Sequence, residues 1–112
     1  GVDLNGVEKR EGEKSFYWAG KYHMDMNSRD TLVTELNVLE NFSPVLPDNY
    51  KNPEYLLLGN FAPAVQLQVL EQLNERPKLV AMDTMNFWMD IAWDDLMETL
   101  KHVDVITIND EE

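Results

Sequence analysis

The sequence predicts an α/β fold: a small parallel sheet with crossover helices, preceded by an antiparallel β segment. Three observations predict it. Residues 55–58 and 79–82 are short continuous apolar runs and residues 103–108 are mostly apolar, the pattern of strands buried on both faces of a parallel sheet. The stretches between them carry apolar residues at helical spacing, and strands alternating with helices imply right-handed parallel crossovers. Before Phe42 the pattern changes to short polar and apolar alternation with period two, which suits antiparallel strands.

The elements follow in order. Residues 15–22, Ser-Phe-Tyr-Trp-Ala-Gly-Lys-Tyr, are rich in aromatic strand formers. Residues 31–39 set Leu32, Thr34, Leu36 and Val38 on one side and Val33, Glu35, Asn37 and Leu39 on the other. The intervening Met24-Asp25-Met26-Asn27-Ser28-Arg29-Asp30 is a loop by composition. Residues 41–53 hold three of the five prolines and join the two styles, with room for a helical turn near Asp48. The domain division is therefore 1–42 and 43–112. In the second part, Gly59-Asn60 ends the first apolar run, and Pro63 suits a first helical turn. Val65, Val69, Leu70 and Leu73 then mark one face of a helix to about residue 74, with Pro77 just beyond. The next strand, 79–82, ends at Asp83. A helix over 91–102 carries Leu96, Met97 and Leu100, with Val103 in the same rhythm and Asp90 or Asp94 as candidate caps. Residues 103–108 form the third buried strand. Trp88 and Trp93 fall near helix starts and read as core.

Composition narrows the function. Nine basic against twenty-one acidic residues give a net charge of −12, which argues against nucleic acid and against an anionic membrane surface. No segment approaches the roughly 18 apolar residues of a membrane span. With no cysteine, neither disulfides nor thiolate metal sites are available. His23 and His102 are isolated and read as surface residues. A cytoplasmic protein is expected.

The chain closes on Val103-Asp104-Val105-Ile106-Thr107-Ile108-Asn109-Asp110-Glu111-Glu112. An apolar strand stops at an amide followed three residues later by a carboxylate. Ligands of open α/β sheets bind outside the carboxyl ends of strands, and oxygen ligands suit a hydrated divalent cation. This segment resembles the "VDVxxxNxxE" segment of the PfkB/ribokinase family of carbohydrate kinases. The strand ending in Asp83-Thr84-Met85-Asn86 lies one crossover earlier, and the paired strands before Phe42 stand where that family carries a β lid over the sugar.

The resemblance implies a ribokinase-like three-layer α/β/α core, here a partial Rossmann-like segment over 43–112, plus an antiparallel β lid over 1–42. It implies ATP and Mg²⁺ as cofactors, with transfer of the γ-phosphate to a hydroxyl of a sugar, nucleoside-like compound or related small alcohol. Asn109 and Glu112 match the residues that organise Mg²⁺ and phosphates through water; as local structure they suit a helix cap. Asp110 and Glu111 read as solvated. Asp83 and Asn86 form a candidate phosphate or substrate loop, although relatives carry Asp-x-Asn where this chain has one more residue. Asn60 is a candidate substrate contact, with Phe61 an apolar departure. Tyr17, Trp18 and Tyr22 are candidate lid residues, with strand packing or a homodimer clasp favoured over direct contact with the sugar. The family's glycine-rich sugar-binding segment and its Gly-Ala-Gly-Asp-type segment, which supplies base and anion hole, have no counterpart here. The expectation is thus an internal piece of a longer kinase, inactive alone, with no catalytic base in this chain.

Two other classes compete. A receiver-like binding module predicts carboxylates clustered at the first strand end, where this chain has Gly59-Asn60, and Asp83 lacks a second aspartate two residues on. An interaction module that dimerises through its β half predicts self-association.

Overall fold

The computed structural model describes residues 1–110 and residue 112. The chain is mixed α/β and divides into two compact units, Val7–Phe42 and Gly1–Gly6 with Ser43–Glu112. The first holds an antiparallel pair, β1 (Tyr17–Tyr22) and β2 (Arg29–Glu35). The second holds a parallel sheet in the order β3-β4-β5, formed by β3 (Tyr55–Leu58), β4 (Leu79–Asp83) and β5 (Val105–Thr107). Helix α1 (Pro63–Glu71) joins the first two strands. Helices α2 (Asn86–Ile91) and α3 (Trp93–Leu100) join the last two.

In the antiparallel unit, Asp25 closes the hairpin loop by accepting the Asn27 and Ser28 N–H groups at 3.1 and 3.2 Å. The expected strict alternation along the second strand fails. Ala19 pairs with Val33 and Gly20 with Thr31, so Leu32 is the extra residue of a β-bulge. Gly20 is required there, because a Cβ would run into the Trp18 ring. The second strand also ends four residues earlier than its pattern predicts. Asn37 takes a positive φ of 49°, which asparagine tolerates, and its amide donates to Ser15 O at 2.8 Å. A 3-10 turn, Asn37–Leu39, follows.

The parallel unit is built on alternation. Register pairs Leu56 with Val80 and Leu58 with Met82, while Tyr55 faces Leu79 and Leu57 faces Ala81 and then Val105. The first set points to the helices. Leu58, Val80, Met82 and Leu96 form the buried cluster, with Val69, Leu70, Met97, Leu100 and Val103 packed against it. Each such side chain contributes roughly 1.5–3 kcal/mol on burial. The second set is bare: Tyr55 is 65% and Leu57 73% exposed. The expectation of strands buried on both faces is therefore corrected. The strand order steps in one direction, so right-handed crossovers put their helices on one side only. Val105, Ile106 and Ile108 are likewise exposed, correcting the third strand.

Three further corrections concern the helices. The helix expected over 91–102 is α3, which starts two residues later; the unexpected α2 precedes it, and the two are separated at Ala92 (φ −139°, ψ 38°), whose N–H still reaches Trp88 O at 2.9 Å. Neither Asp90 nor Asp94 caps α3 by its side chain; Asp94 and Asp95 sit in its first turn, where the helix dipole favours negative charge. Trp88 is buried as expected, but Trp93 is exposed, because the break at Ala92 turns it outward. Asp48–Tyr50 is a 3-10 turn, as the composition allows. It anchors the opening residues: Tyr50 Oη donates to Asp3 O at 2.9 Å. Among the described residues, no helix is long and apolar enough to cross a membrane.

Candidate functional site

Parallel pairing brings the carboxyl ends of all three core strands to one edge. Leu58 lies beside Met82, and Asp83 beside Thr107. Residues 59–60, 84–86 and 108–109 leave the sheet there, carrying Asn60, Asn86 and Asn109.

The first two strand ends are tied by Gln66, buried in α1. Its Nε2 donates to Gly59 O at 2.8 Å and to Asp83 O at 3.1 Å. Its Oε1 has no partner among the described residues, nor has the buried Thr84 Oγ1. The second and third ends are tied by Thr107, whose hydroxyl lies 3.3 Å from both Met82 O and Asp83 Oδ1. Asp83 is half-buried, and Asn86 is the exposed first residue of α2. Asn60 is exposed and accepts the Trp88 Nε1–H at 2.9 Å.

Asn109 and Glu112 form a reciprocal pair. Glu112 Oε2 accepts the Asn109 N–H, and Asn109 Oδ1 accepts the Glu112 N–H, both at 3.2 Å. This is the capping-box arrangement of a helix start. It explains physically why an amide and a carboxylate occur three residues apart: each satisfies the other's backbone donor. A carboxylate has about four lone-pair positions, so capping and water-mediated metal binding are compatible chemistries. Asp110 is exposed; Glu111 lies outside the described residues. Among the described residues, no group of three or more His, Asp or Glu side chains converges as a direct metal site. Tyr17 and Tyr22 of the antiparallel unit are exposed, whereas Trp18 is half-buried over Gly20. His23 and His102 are at the surface, His23 facing Asp30 at 3.1 Å.

The opposite edge of the sheet is held by Asp104. Its Oδ2 accepts the Val80 N–H at 2.8 Å, its own N–H donates to Val80 O at 2.9 Å, and Arg76 pairs with Oδ1 at 2.7 Å. The Arg76 hydrogen bond, then that from Val80, holds this carboxyl below the usual aspartate range. A hollow of about 210 Å³, lined by Arg76, Pro77, Val80 and His102 among others, lies by this end and includes none of the candidate residues.

Sequence reasoning missed three contributors to the carboxyl edge: Gln66, Thr107 and the indole nitrogen of Trp88. Gln66 had a legible signal, a polar residue one turn before Val69 and Leu70 on the inward stripe of α1. Thr107 and the Trp88 nitrogen had none, since their partners are distant in sequence. Compared with known proteins, the chain matches no family model and no curated protein.

Proposed function

We propose that this chain is part of an ATP-dependent carbohydrate kinase of the PfkB/ribokinase type, with a ribokinase-like core and the antiparallel unit as its lid. The observation that carries the reading is the position of Asn109 and Glu112 just past β5, on the strand-end edge shared with Asp83 and Asn60. Ligands of parallel sheets bind at such edges. Phosphoryl transfer is mainly positioning and charge neutralisation, which amides and a carboxylate acting through metal-bound water can serve.

In this reading Mg²⁺ supplies charge neutralisation on the transferring phosphate of ATP. Asn109 and Glu112 orient the water around it. Asp83, Asn86 and Asn60 line the approach of phosphates or of the acceptor, a sugar or nucleoside-like alcohol. Tyr17, Trp18 and Tyr22 belong to a lid that excludes water and limits ATP hydrolysis, or to a homodimer contact through that lid. No residue of this chain is assigned as the base that deprotonates the acceptor hydroxyl. The setting is cytoplasmic, with small-molecule partners and neither nucleic acid nor membrane.

The test is ATP-dependent phosphorylation of a panel of sugars and nucleosides by the protein that carries this segment, across a magnesium titration. Glu112→Gln is expected to lower Mg²⁺-dependent turnover by at least tenfold and leave the circular dichroism spectrum unchanged. Turnover and magnesium dependence equal to wild type would remove Glu112 from the site.

A further inference from the structure

The contact between Trp88 and Asn60 fixes a polarity. An indole nitrogen donates and cannot accept. Because Trp88 Nε1–H lies 2.9 Å from Asn60 Oδ1, the amide oxygen faces the ring and the two Nδ2 hydrogens face away from it. Trp88 is 9% exposed and Asn60 is at the surface, so the ring is the anchored partner and the amide the displayed one. Phe87 packs edge-on against the same ring, centroids 4.9 Å apart at 69°. The residue before Asn60 is equally restrained, since Gln66 binds Gly59 O and ties it to the end of β4.

The same edge holds two polar atoms whose needs the described residues do not meet. Gln66 is 2% and Thr84 3% exposed, and neither Gln66 Oε1 nor Thr84 Oγ1 has a partner among the described residues. Buried polar atoms are satisfied in the great majority of native structures. The carboxyl edge thus carries an oriented surface amide and, in the residues behind it, two buried oxygens without partners among the described residues.

We propose that Trp88 is a positioning residue that locks Asn60 as a hydrogen-bond donor, so that the carboxyl edge receives an acceptor oxygen of a phosphate or of a polyol. An amide held this way turns its two N–H donors away from the ring and keeps its oxygen, with one lone pair still open, beside the indole, so acceptor groups are favoured over ammonium and other donors. The proposal rests on the carboxyl edge being the ligand edge, as in the proposed function, and does not require phosphoryl transfer.

The test is nuclear magnetic resonance on the whole chain, following the Asn60 side-chain amide and the Trp88 indole N–H. Inorganic phosphate is titrated in one arm, and D-ribose, D-fructose and D-glucose in turn in the other. The Asn60 amide signals are expected to shift saturably in at least one arm, which names the source of the oxygen. Asn60→Asp keeps an acceptor for Trp88, so the indole signal stays, but it displays carboxylate oxygen; binding is expected to weaken at least tenfold. Trp88→Phe frees the amide to rotate and is expected to weaken binding about threefold to tenfold in the folded protein. A merely structural Trp88 would change the melting temperature and leave that affinity alone. Asn60 signals unmoved in both arms, or Asn60→Asp binding as tightly as wild type, would overturn the proposal. If Trp88→Phe does not fold, Asn60→Asp still decides. Absent kinase turnover with a saturable Asn60 shift counts against the kinase reading alone; turnover with an unmoved Asn60 counts against this inference alone.

Discussion

Single side chains at the two ends of the parallel sheet do different jobs. Asp104 closes the amino end by taking the Val80 N–H and pairing with Arg76. Its carboxyl pKa is depressed in the folded chain, so it binds a proton less readily folded than unfolded. Its stabilising contribution is therefore present above the unfolded aspartate pKa and is lost as pH falls through the lower folded value. Asp104→Asn is expected to lower the urea midpoint at neutral pH, with the gap from wild type closing in acid; a gap that stays constant on acidification would remove the ionised carboxylate from the account. At the carboxyl end, Gln66→Leu strips partners from Gly59 O and Asp83 O. An intramolecular hydrogen bond contributes about 0.5–1.5 kcal/mol net, and urea unfolding of that variant is expected to show a loss of about this size per bond. Asp104 is the one charge within residues 103–108, but nothing in the sequence assigned it a role. Its partners, 24 and 28 residues away, were not visible.

Elements show where local pattern succeeds and where it fails. The three core strands and α1 begin within two residues of where apolar runs and Pro63 put them, because continuous apolar stretches and helix punctuation are local signals. The break at Ala92 carries no such signal, since alanine is a strong helix former; only the turn of the chain between α2 and α3 imposes it. Strand β3 has two unequal faces, and mutations should read them separately. Leu96→Ala removes a side chain 1% exposed from the cluster that covers the inner face, and is expected to cost about 2–5 kcal/mol. Leu57→Ala on the bare face, 73% exposed, is expected to stay within about 0.5 kcal/mol. Denaturant midpoints of the two variants check the pair. Equal losses would mean that the two faces are covered alike.

At the scale of the whole molecule, the two units differ in how they can be stable. Two-stranded antiparallel sheets are marginal by themselves in water, and β1–β2 has no residue below the intermediate range of burial. The parallel unit has a buried cluster at Leu58, Val80, Met82 and Leu96. Local opening follows the density of buried contacts. Amides of β1 and β2 are therefore expected to exchange with solvent well before those of Val80 and Met82, and hydrogen exchange read residue by residue checks this. Simultaneous exchange of both sets would mean a single cooperative structure.

By itself the sequence determined the five strands with α1 and α3 and their order, the loop near Asp25, and the amide-to-carboxylate spacing after the last strand. Those features depend on neighbours a few residues apart. Tertiary structure alone decided which face of the sheet is covered and that Trp88 orients Asn60 across 28 residues of chain. A hydrogen bond between distant residues depends on how whole elements meet, and no local periodicity encodes that meeting.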